Sequence, residues 1–152
     1  MKRRWMWTIL IIVYTGFIFS NSMTPADESS RQSGAVMNLL LQLLGSLGLE
    51  GGWVTEHLIR KTAHFVEYAV LGVLLWKCLE TYEWRRRASG MRFLCQGWLA
   101  VWIPLLDETI QLFIEGRSGQ ISDVWLDMAG VLAGSCFMWM MQQCLGRRGE
   151  RG

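Results

Sequence analysis

The chain has 152 residues, of which 51% are apolar and 18% are charged, and its formal net charge is +2. A soluble domain of this length could not bury nine tryptophans together with so many other apolar side chains, which argues against a soluble globular protein. The length allows one domain, residues 1–152, and the long apolar stretches indicate an integral membrane protein.

The first predicted element is a transmembrane helix over residues 5–21, close to the ~20 residues that span a hydrocarbon core. The basic residues 2–4 before it and the small residues Ser20 and Ser22 also resemble a secretory signal peptide. The apolar stretch is long for a signal core and carries tryptophan at its inner edge. We therefore expect the helix to be retained.

A polar loop is predicted over residues 23–32, where Pro25 acts as a breaker. The next helix is predicted over residues 33–49, but its apolar core, 35–44, is short for a membrane span. A span at this position would also disturb the distribution of basic residues. We therefore expect an interfacial or re-entrant helix on the outer face of the membrane.

Three further transmembrane helices are predicted, over residues 60–79, 93–114 and 121–144. No ten-residue alternation typical of a membrane β-barrel is present in the sequence. The predicted fold class is an all-α membrane protein, with a small bundle of four transmembrane helices and the interfacial helix between the first two.

The basic residues predict how the helices are oriented. With the N-terminus in the cytoplasm, eleven of the fifteen lysines and arginines lie on the cytoplasmic side: Lys2, Arg3, Arg4, Lys77, Arg85, Arg86, Arg87, Arg92, Arg147, Arg148 and Arg151. This asymmetry follows the positive-inside rule and predicts a multi-pass plasma-membrane protein with both termini cytoplasmic. Topology and anionic lipid explain the basic loop, so no nucleic-acid partner is predicted.

Ionisable residues occur at the outer end of the second span. Arg60, His64, Glu67 and Tyr68 follow an i, i+4, i+7, i+8 spacing, which places them on one helical face, and Lys61 lies beside Arg60. A histidine and a glutamate in the first turns of a membrane helix need a partner, because lipid offers none.

The third span carries two adjacent carboxylates near its outer end, Asp107 and Glu108. Gln111 follows the first at i+4 and the second at i+3, which predicts hydrogen bonds that orient both side chains. Pro104, three residues before Asp107, is expected to bend this helix.

The fourth span has acidic residues at the same end. Asp123 and Asp127 are one turn apart, and the stripe continues into Gly130 and Gly134, a pattern suited to close helix contact. Arg117 lies in the short loop before this span. Two roles are possible for Arg117: its guanidinium could bind a phosphate group through two hydrogen bonds, or it could pair with a nearby acidic residue (Glu115 or Asp123).

Isolated charges inside a membrane cost at least ~2.5 kcal/mol each, so these groups should face one another. The sequence predicts a shared polar pocket that opens outward. Its predicted binding residues are Arg60, Lys61, His64, Glu67, Tyr68, Asp107, Glu108, Gln111, Arg117, Asp123 and Asp127.

Five carboxylates against three cations leave an excess of negative charge in this pocket. Protonation of one or two carboxylates, a bound cation or a basic ligand could each offset it. The spacing matches no standard metal motif, so no metal and no cofactor is predicted. If a metal ion were bound, the first candidates for its ligands would be His64, Glu67, Asp107 and Asp123.

The motifs together resemble the VanZ-like family of small membrane proteins. The residues that carry the resemblance are KxxHFxEY at 61–68, DExxQxF at 107–113, GRxGxxxDxxxD at 116–127, GxxxG at 130–134 and FSNS at the end of the first span. Asp127 stands where family members often carry asparagine. The resemblance covers almost the whole chain and implies a link to teicoplanin resistance, which founding members confer.

We expect a non-catalytic membrane protein whose pocket binds an anionic amphiphile, either a lipid-linked envelope precursor or a lipoglycopeptide, with membrane lipids as its other partners. The alternative is an intramembrane hydrolase or transferase acting on envelope lipids, with His64 as base and Glu67, Asp107 and Glu108 as further catalytic candidates. A proton-coupled transporter is a third reading, for which no path to the cytoplasm is evident.

Overall fold

The computed structural model describes residues 2–82 and 89–149, without the side chains of residues 89, 92, 93 and 145–149. Within these residues the fold is all-helical and has no strand. The five helices are α1 (Lys2–Ser22), α2 (Ala26–Ser46), α3 (Glu56–Glu80), α4 (Ser89–Gln111) and α5 (Ile121–Gly149). The basic residues predicted at 85–87 and 151 lie outside the described residues.

Within the described ranges, three helices are long and apolar enough to cross a membrane: α1, α3 and the segment Ile121–Cys144 of α5. The fourth predicted span corresponds to α4, which has 23 residues and contains Pro104. At ~1.5 Å per residue α4 is about 35 Å long, which matches a hydrocarbon core of ~30 Å. The arrangement of four spans stays a prediction.

The boundaries predicted for α2 were wrong at its start. The segment 26–32, predicted as part of a polar loop, forms the first two turns of α2, which begins directly after Pro25. Asp27 and Glu28 lie in the first turn, where negative charge interacts favourably with the positive end of the helix dipole. The polarity of this segment therefore reflects exposure and a helix start, and not the absence of a helix.

One face of α2 carries apolar side chains that no other part of the described structure covers. Val36, Leu39 and Leu43 of α2, and Leu47 directly after its end, recur at helical spacing and are all more than half exposed. Among the described helices α2 packs only against α3. An unpartnered apolar stripe on a helix of this length is typical of a helix at a membrane interface.

The contact between α3 and α5 is the most extensive in the fold, and glycines make it close. A Cβ atom on Gly130 would lie 2.6 Å from the carbonyl oxygen of Phe65. A Cβ atom on Gly134 would overlap the carbonyl group of Ala69, and one on Gly72 would overlap that of Val131. The prediction that Gly130 and Gly134 form a close-packing face is confirmed.

The buried core joins α1, α3, α4 and α5 into one bundle. Its members are Ile18 of α1, Tyr68, Leu71 and Leu75 of α3, Ala100 and Ile103 of α4, and Val131 of α5. Helix α3 contacts each of the other four helices and is therefore the central element. It also carries the largest number of the predicted site residues.

Candidate functional site

The ionisable residues lie together where α1 and α4 end and α3 and α5 begin. Hydrogen bonds join α1 to α3 and to α4, and ion-pair contacts join α3 to α5. The cluster therefore draws on four helices, one more than the sequence predicted.

The two carboxylates of α4 are buried and held by hydrogen bonds. The Asp107 oxygen Oδ2 accepts hydrogen bonds from the Ser22 hydroxyl at 2.8 Å and from Gln111 Nε2 at 3.4 Å. Glu108 accepts from Gln111 Nε2 at 3.1 Å and from the backbone N–H of Gln120 at 2.9 Å. The orienting role predicted for Gln111 is confirmed, and α1 and the α4–α5 loop supply the additional donors.

Glu67 and Tyr68, although adjacent in sequence, have different surroundings in the structure. Asn21 Nδ2 donates a hydrogen bond of 2.9 Å to Glu67 Oε1, which turns this carboxylate toward α1. The Tyr68 side chain is fully buried, and its hydroxyl lies near Asp107 without reaching hydrogen-bond geometry with any described group. Tyr68 thus lies where it could orient the Asp107 carboxylate, and that role stays a prediction.

His64 of α3 faces Asp127 of α5. Its Nδ1 atom lies 3.9 Å from Asp127 Oδ1, an ion-pair contact that is too long for a hydrogen bond. Asp127 is 0% exposed, and neither of its carboxylate oxygens accepts a hydrogen bond from a described residue. In the enzyme alternative either Glu67 or Asp107 would orient His64. Glu67 binds Asn21 instead, whereas Asp107 lies within 4.8 Å of His64.

Lys61 and Asp123 form the second contact between α3 and α5. The distance from Lys61 Nζ to Asp123 Oδ1 is 2.9 Å, and both side chains are partly exposed. Asp123 therefore neutralises a basic residue at the rim of the cluster and does not join the buried carboxylates.

Arg117 is fixed by three acceptors. Its guanidinium donates to the backbone carbonyls of Thr24 at 2.9 Å and Asn21 at 3.4 Å, and to Gln111 Oε1 at 3.3 Å. The expected alternative pairing with Glu115 or Asp123 is not seen among the described contacts. Burial, and then the nearby Arg60 charge, lower the pKa of the Arg117 guanidinium, but arginine stays protonated in proteins.

A cavity of about 250 Å³ opens beside the cluster. Three cations line it, Arg60, Lys61 and Arg117, together with His64 and Asp123. The Arg60 Nε atom is buried and has no hydrogen-bond partner among the described residues. The wall of this cavity is therefore more positive than negative, although the cluster as a whole is acidic.

Sequence reasoning missed the contribution of α1. Asn21 and Ser22 hold Glu67 and Asp107, yet neither was among the predicted site residues. A polar residue at the end of an apolar helix is ordinary, so the only signal was the FSNS sequence in the family resemblance. The hydrogen bond from the Gln120 backbone amide to Glu108 could not be predicted, because a backbone N–H group is present in almost every residue.

Three apolar helices of membrane-spanning length, packed around a buried polar cluster, define the class: a small helical membrane protein. Within that class the chain belongs to the VanZ/LLP1 family, whose model matches residues 6–142. The predicted family resemblance is thereby confirmed over nearly the whole chain. No curated protein matches the chain, and no solved structure matches it.

Proposed function

We propose that this protein binds the anionic head group of a membrane amphiphile, such as a lipid-linked envelope precursor, at the outer face of the plasma membrane. The observation that carries the proposal is the cavity lined by Arg60, Lys61 and Arg117. A guanidinium recognises phosphate oxygens through two parallel hydrogen bonds, which makes arginine suited to this kind of ligand.

Arg60 is the cation best placed to hold an incoming anion. Lys61 already pairs with Asp123, and Arg117 already donates to three protein acceptors. Arg60 forms no ion pair with a described carboxylate, and its Nε atom is buried without a partner. A buried N–H group without an acceptor is costly, so an anionic ligand that accepts from Arg60 Nε would be stabilised.

The size of the cavity favours a head group over a complete antibiotic. Pockets that enclose drug-sized ligands measure roughly 300–1,000 Å³, whereas this cavity measures about 250 Å³. A contribution to teicoplanin resistance would then arise because the protein holds the lipid target and limits the access of the drug to it.

The enzyme alternative gains no specific support from the geometry. Among the described residues no hydroxyl or thiol forms a hydrogen bond with His64, and its closest ion-pair partner lies at 3.9 Å. Binding therefore remains the function that the arrangement supports best.

Retention of anionic lipid by the purified full-length protein tests the proposal. In native mass spectrometry we expect polyprenyl phosphate to be retained in preference to phosphatidylcholine, and Arg60→Gln to retain about tenfold less, because a hydrogen bond to a charged group is worth ~1.5–3 kcal/mol. Arg31→Gln is the matched control, since Arg31 is an exposed cation of α2 paired with Glu28.

The same variants extend the test to resistance. Expression of the wild-type chain in a teicoplanin-sensitive host should raise the inhibitory concentration, Arg31→Gln should preserve the rise, and Arg60→Gln should reduce it. Equal lipid retention by the wild type and Arg60→Gln would contradict the head-group proposal. An unchanged inhibitory concentration with correctly inserted wild-type protein would contradict the link to resistance alone.

A further inference from the structure

Three side chains from three helices converge at the buried end of the cluster. His64 of α3, Asp107 of α4 and Asp127 of α5 each offer one ligand atom, and these atoms all lie within 4.8 Å of one another. Both aspartates are 0% exposed. The three residues are far apart in sequence, so the packing of the bundle creates this arrangement.

Four polar atoms of this triad have no hydrogen-bond partner in the described part of the chain. Both oxygens of Asp127, the Asp107 oxygen Oδ1 and the His64 nitrogen Nδ1 are buried and unpartnered. Buried polar atoms in native proteins are almost always paired, so four such atoms in one place indicate a missing partner.

The neighbouring ionisable groups are satisfied in other ways. Glu67 accepts from Asn21, Glu108 accepts from Gln111 and Gln120, and Asp123 pairs with Lys61. Among the described carboxylates of the cluster, the buried oxygens without a partner thus belong to Asp107 and Asp127, and the buried Tyr68 hydroxyl near Asp107 is unpartnered as well.

Asp107 is also oriented as a ligating carboxylate would be. Ser22 and Gln111 both donate to its oxygen Oδ2, whereas its oxygen Oδ1 has no hydrogen-bond partner among the described residues, although the Tyr68 hydroxyl lies nearby. Carboxylates that bind metals are commonly held by hydrogen bonds to the second oxygen in this way.

The charge balance points in the same direction. No lysine or arginine of the described residues forms an ion pair with Asp107 or Asp127, and among these residues only His64 makes an ion-pair contact with Asp127. Buried carboxylates without a compensating cation are strongly destabilising. A divalent cation among the three residues would supply that compensation.

We propose that His64, Asp107 and Asp127 bind one divalent transition-metal ion, of the zinc or manganese type. One imidazole with two carboxylates suits these ions, whereas calcium and magnesium prefer oxygen ligands alone. Metal–ligand distances of ~2.0–2.2 Å place ligand atoms roughly 3–4.4 Å apart. The 3.9 Å between His64 Nδ1 and Asp127 Oδ1 lies within this range, and separations up to 4.8 Å would have to shorten by roughly 1 Å or more for neighbouring ligands of a tetrahedral ion.

This site was not predicted from the sequence, where Glu67 and Asp123 were ranked as ligands with His64 and Asp107. The structure replaces both by Asp127. The site shares His64 with the wall of the head-group cavity. The two proposals are still tested separately, because Arg60 is not a ligand of the metal and the metal needs no lipid.

Metal binding by the full-length protein, purified in detergent and stripped with a chelator, is the test. Titration with Zn²⁺ or Mn²⁺ should load one ion per chain, as counted by elemental mass spectrometry. His64→Gln, Asp107→Asn and Asp127→Asn should each weaken binding by at least ~100-fold, since even the outer partners of a metal site are worth ~10–100-fold.

Glu67→Gln is the matched control, because it removes a carboxylate of α3 that binds Asn21 and lies outside the triad. It should retain the affinity of the wild type. A triad variant that fails to fold leaves a second test. Electron paramagnetic resonance of the Mn²⁺-loaded wild type should then show hyperfine coupling of the ion to one histidine nitrogen.

Two results would overturn the metal site. One is a wild-type protein that takes up neither ion, which would mean that a proton shared between Asp107 and Asp127 balances the charge. The other is an equal loss of binding in Glu67→Gln and in the triad variants. Either result leaves lipid retention by Arg60 untouched, so the two proposals fail separately.

Discussion

Arg117 shows how much one side chain contributes to this fold. Its guanidinium donates to the backbone at the end of α1, to the turn before α2 and to Gln111 at the end of α4. Gln111 in turn donates to Asp107 and Glu108. Arg117 therefore supports the residues that hold the buried carboxylates, in addition to lining the cavity.

Replacing Arg117 by alanine should lower the free energy of unfolding by about 2 kcal/mol, since hydrogen bonds to a charged group are lost and their acceptors are left half-buried. Arg117→Lys should recover only part of this, because an ammonium group cannot reproduce the planar fork that serves several acceptors. Reversible unfolding in detergent measures both values. Arg31→Ala, at an exposed position, should stay within ~0.5 kcal/mol of the wild type. Equal stability of Arg117→Ala and the wild type would contradict the role of Arg117.

At the scale of the elements, the close approach of α3 and α5 decides the geometry of the site. Gly130 and Gly134 let the two backbones touch, and the same two helices carry His64 opposite Asp127 and Lys61 opposite Asp123. A larger side chain at this interface would move the helices apart and lengthen both ion-pair contacts.

Gly134→Leu should destabilise the protein by about 3 kcal/mol or more, because even over-packing against movable side chains costs ~1–3 kcal/mol and here the obstacle is the Ala69 backbone. Gly97→Ala in α4 is the control, since nothing lies within 4 Å of a Cβ atom placed there. Alanine in that helix should be neutral or stabilising by up to ~1 kcal/mol. Unfolding in detergent compares the two, and a Gly134→Leu variant as stable as Gly97→Ala would show that the interface is looser than described.

At the scale of the whole molecule, the distribution of basic residues and the length of α4 together predict four spans. Eleven of fifteen lysines and arginines lie on one side if α4 crosses the membrane, as the positive-inside rule requires. If only α1, α3 and α5 crossed, the two termini would lie on opposite sides.

Reporter fusions distinguish these topologies. Alkaline phosphatase fused in the α4–α5 loop at Gly116 should be active, as at Glu50 in the α2–α3 loop, because both loops are predicted outside. A fusion to the C-terminus should be inactive, whereas green fluorescent protein at the same point should fluoresce. Activity at the C-terminus combined with inactivity at Gly116 would show that α4 does not span the membrane.

Some of the site could be predicted because helix geometry is local. Gln111 bonds to Asp107 and Glu108 as the i+4 and i+3 spacings indicated, and Gly130 and Gly134 pack as the four-residue spacing indicated. The start of α2 was misplaced because polar residues at a helix start have the same composition as a loop. The partners of Glu67 could not be predicted, since they depend on the position of α1 relative to α3.

By itself the sequence determined the helical class, the approximate extent of the long helices and the faces on which ionisable residues lie, because apolar length and helical period are properties of neighbouring residues. Only the tertiary structure decided that Asp127 faces His64, that Glu67 turns to Asn21 and that the Arg60 Nε atom is buried without a hydrogen-bond partner among the described residues. These pairings depend on the distance between separate helices and on their relative positions along the bundle axis. Backbone contacts across the bundle set the distance between the helices.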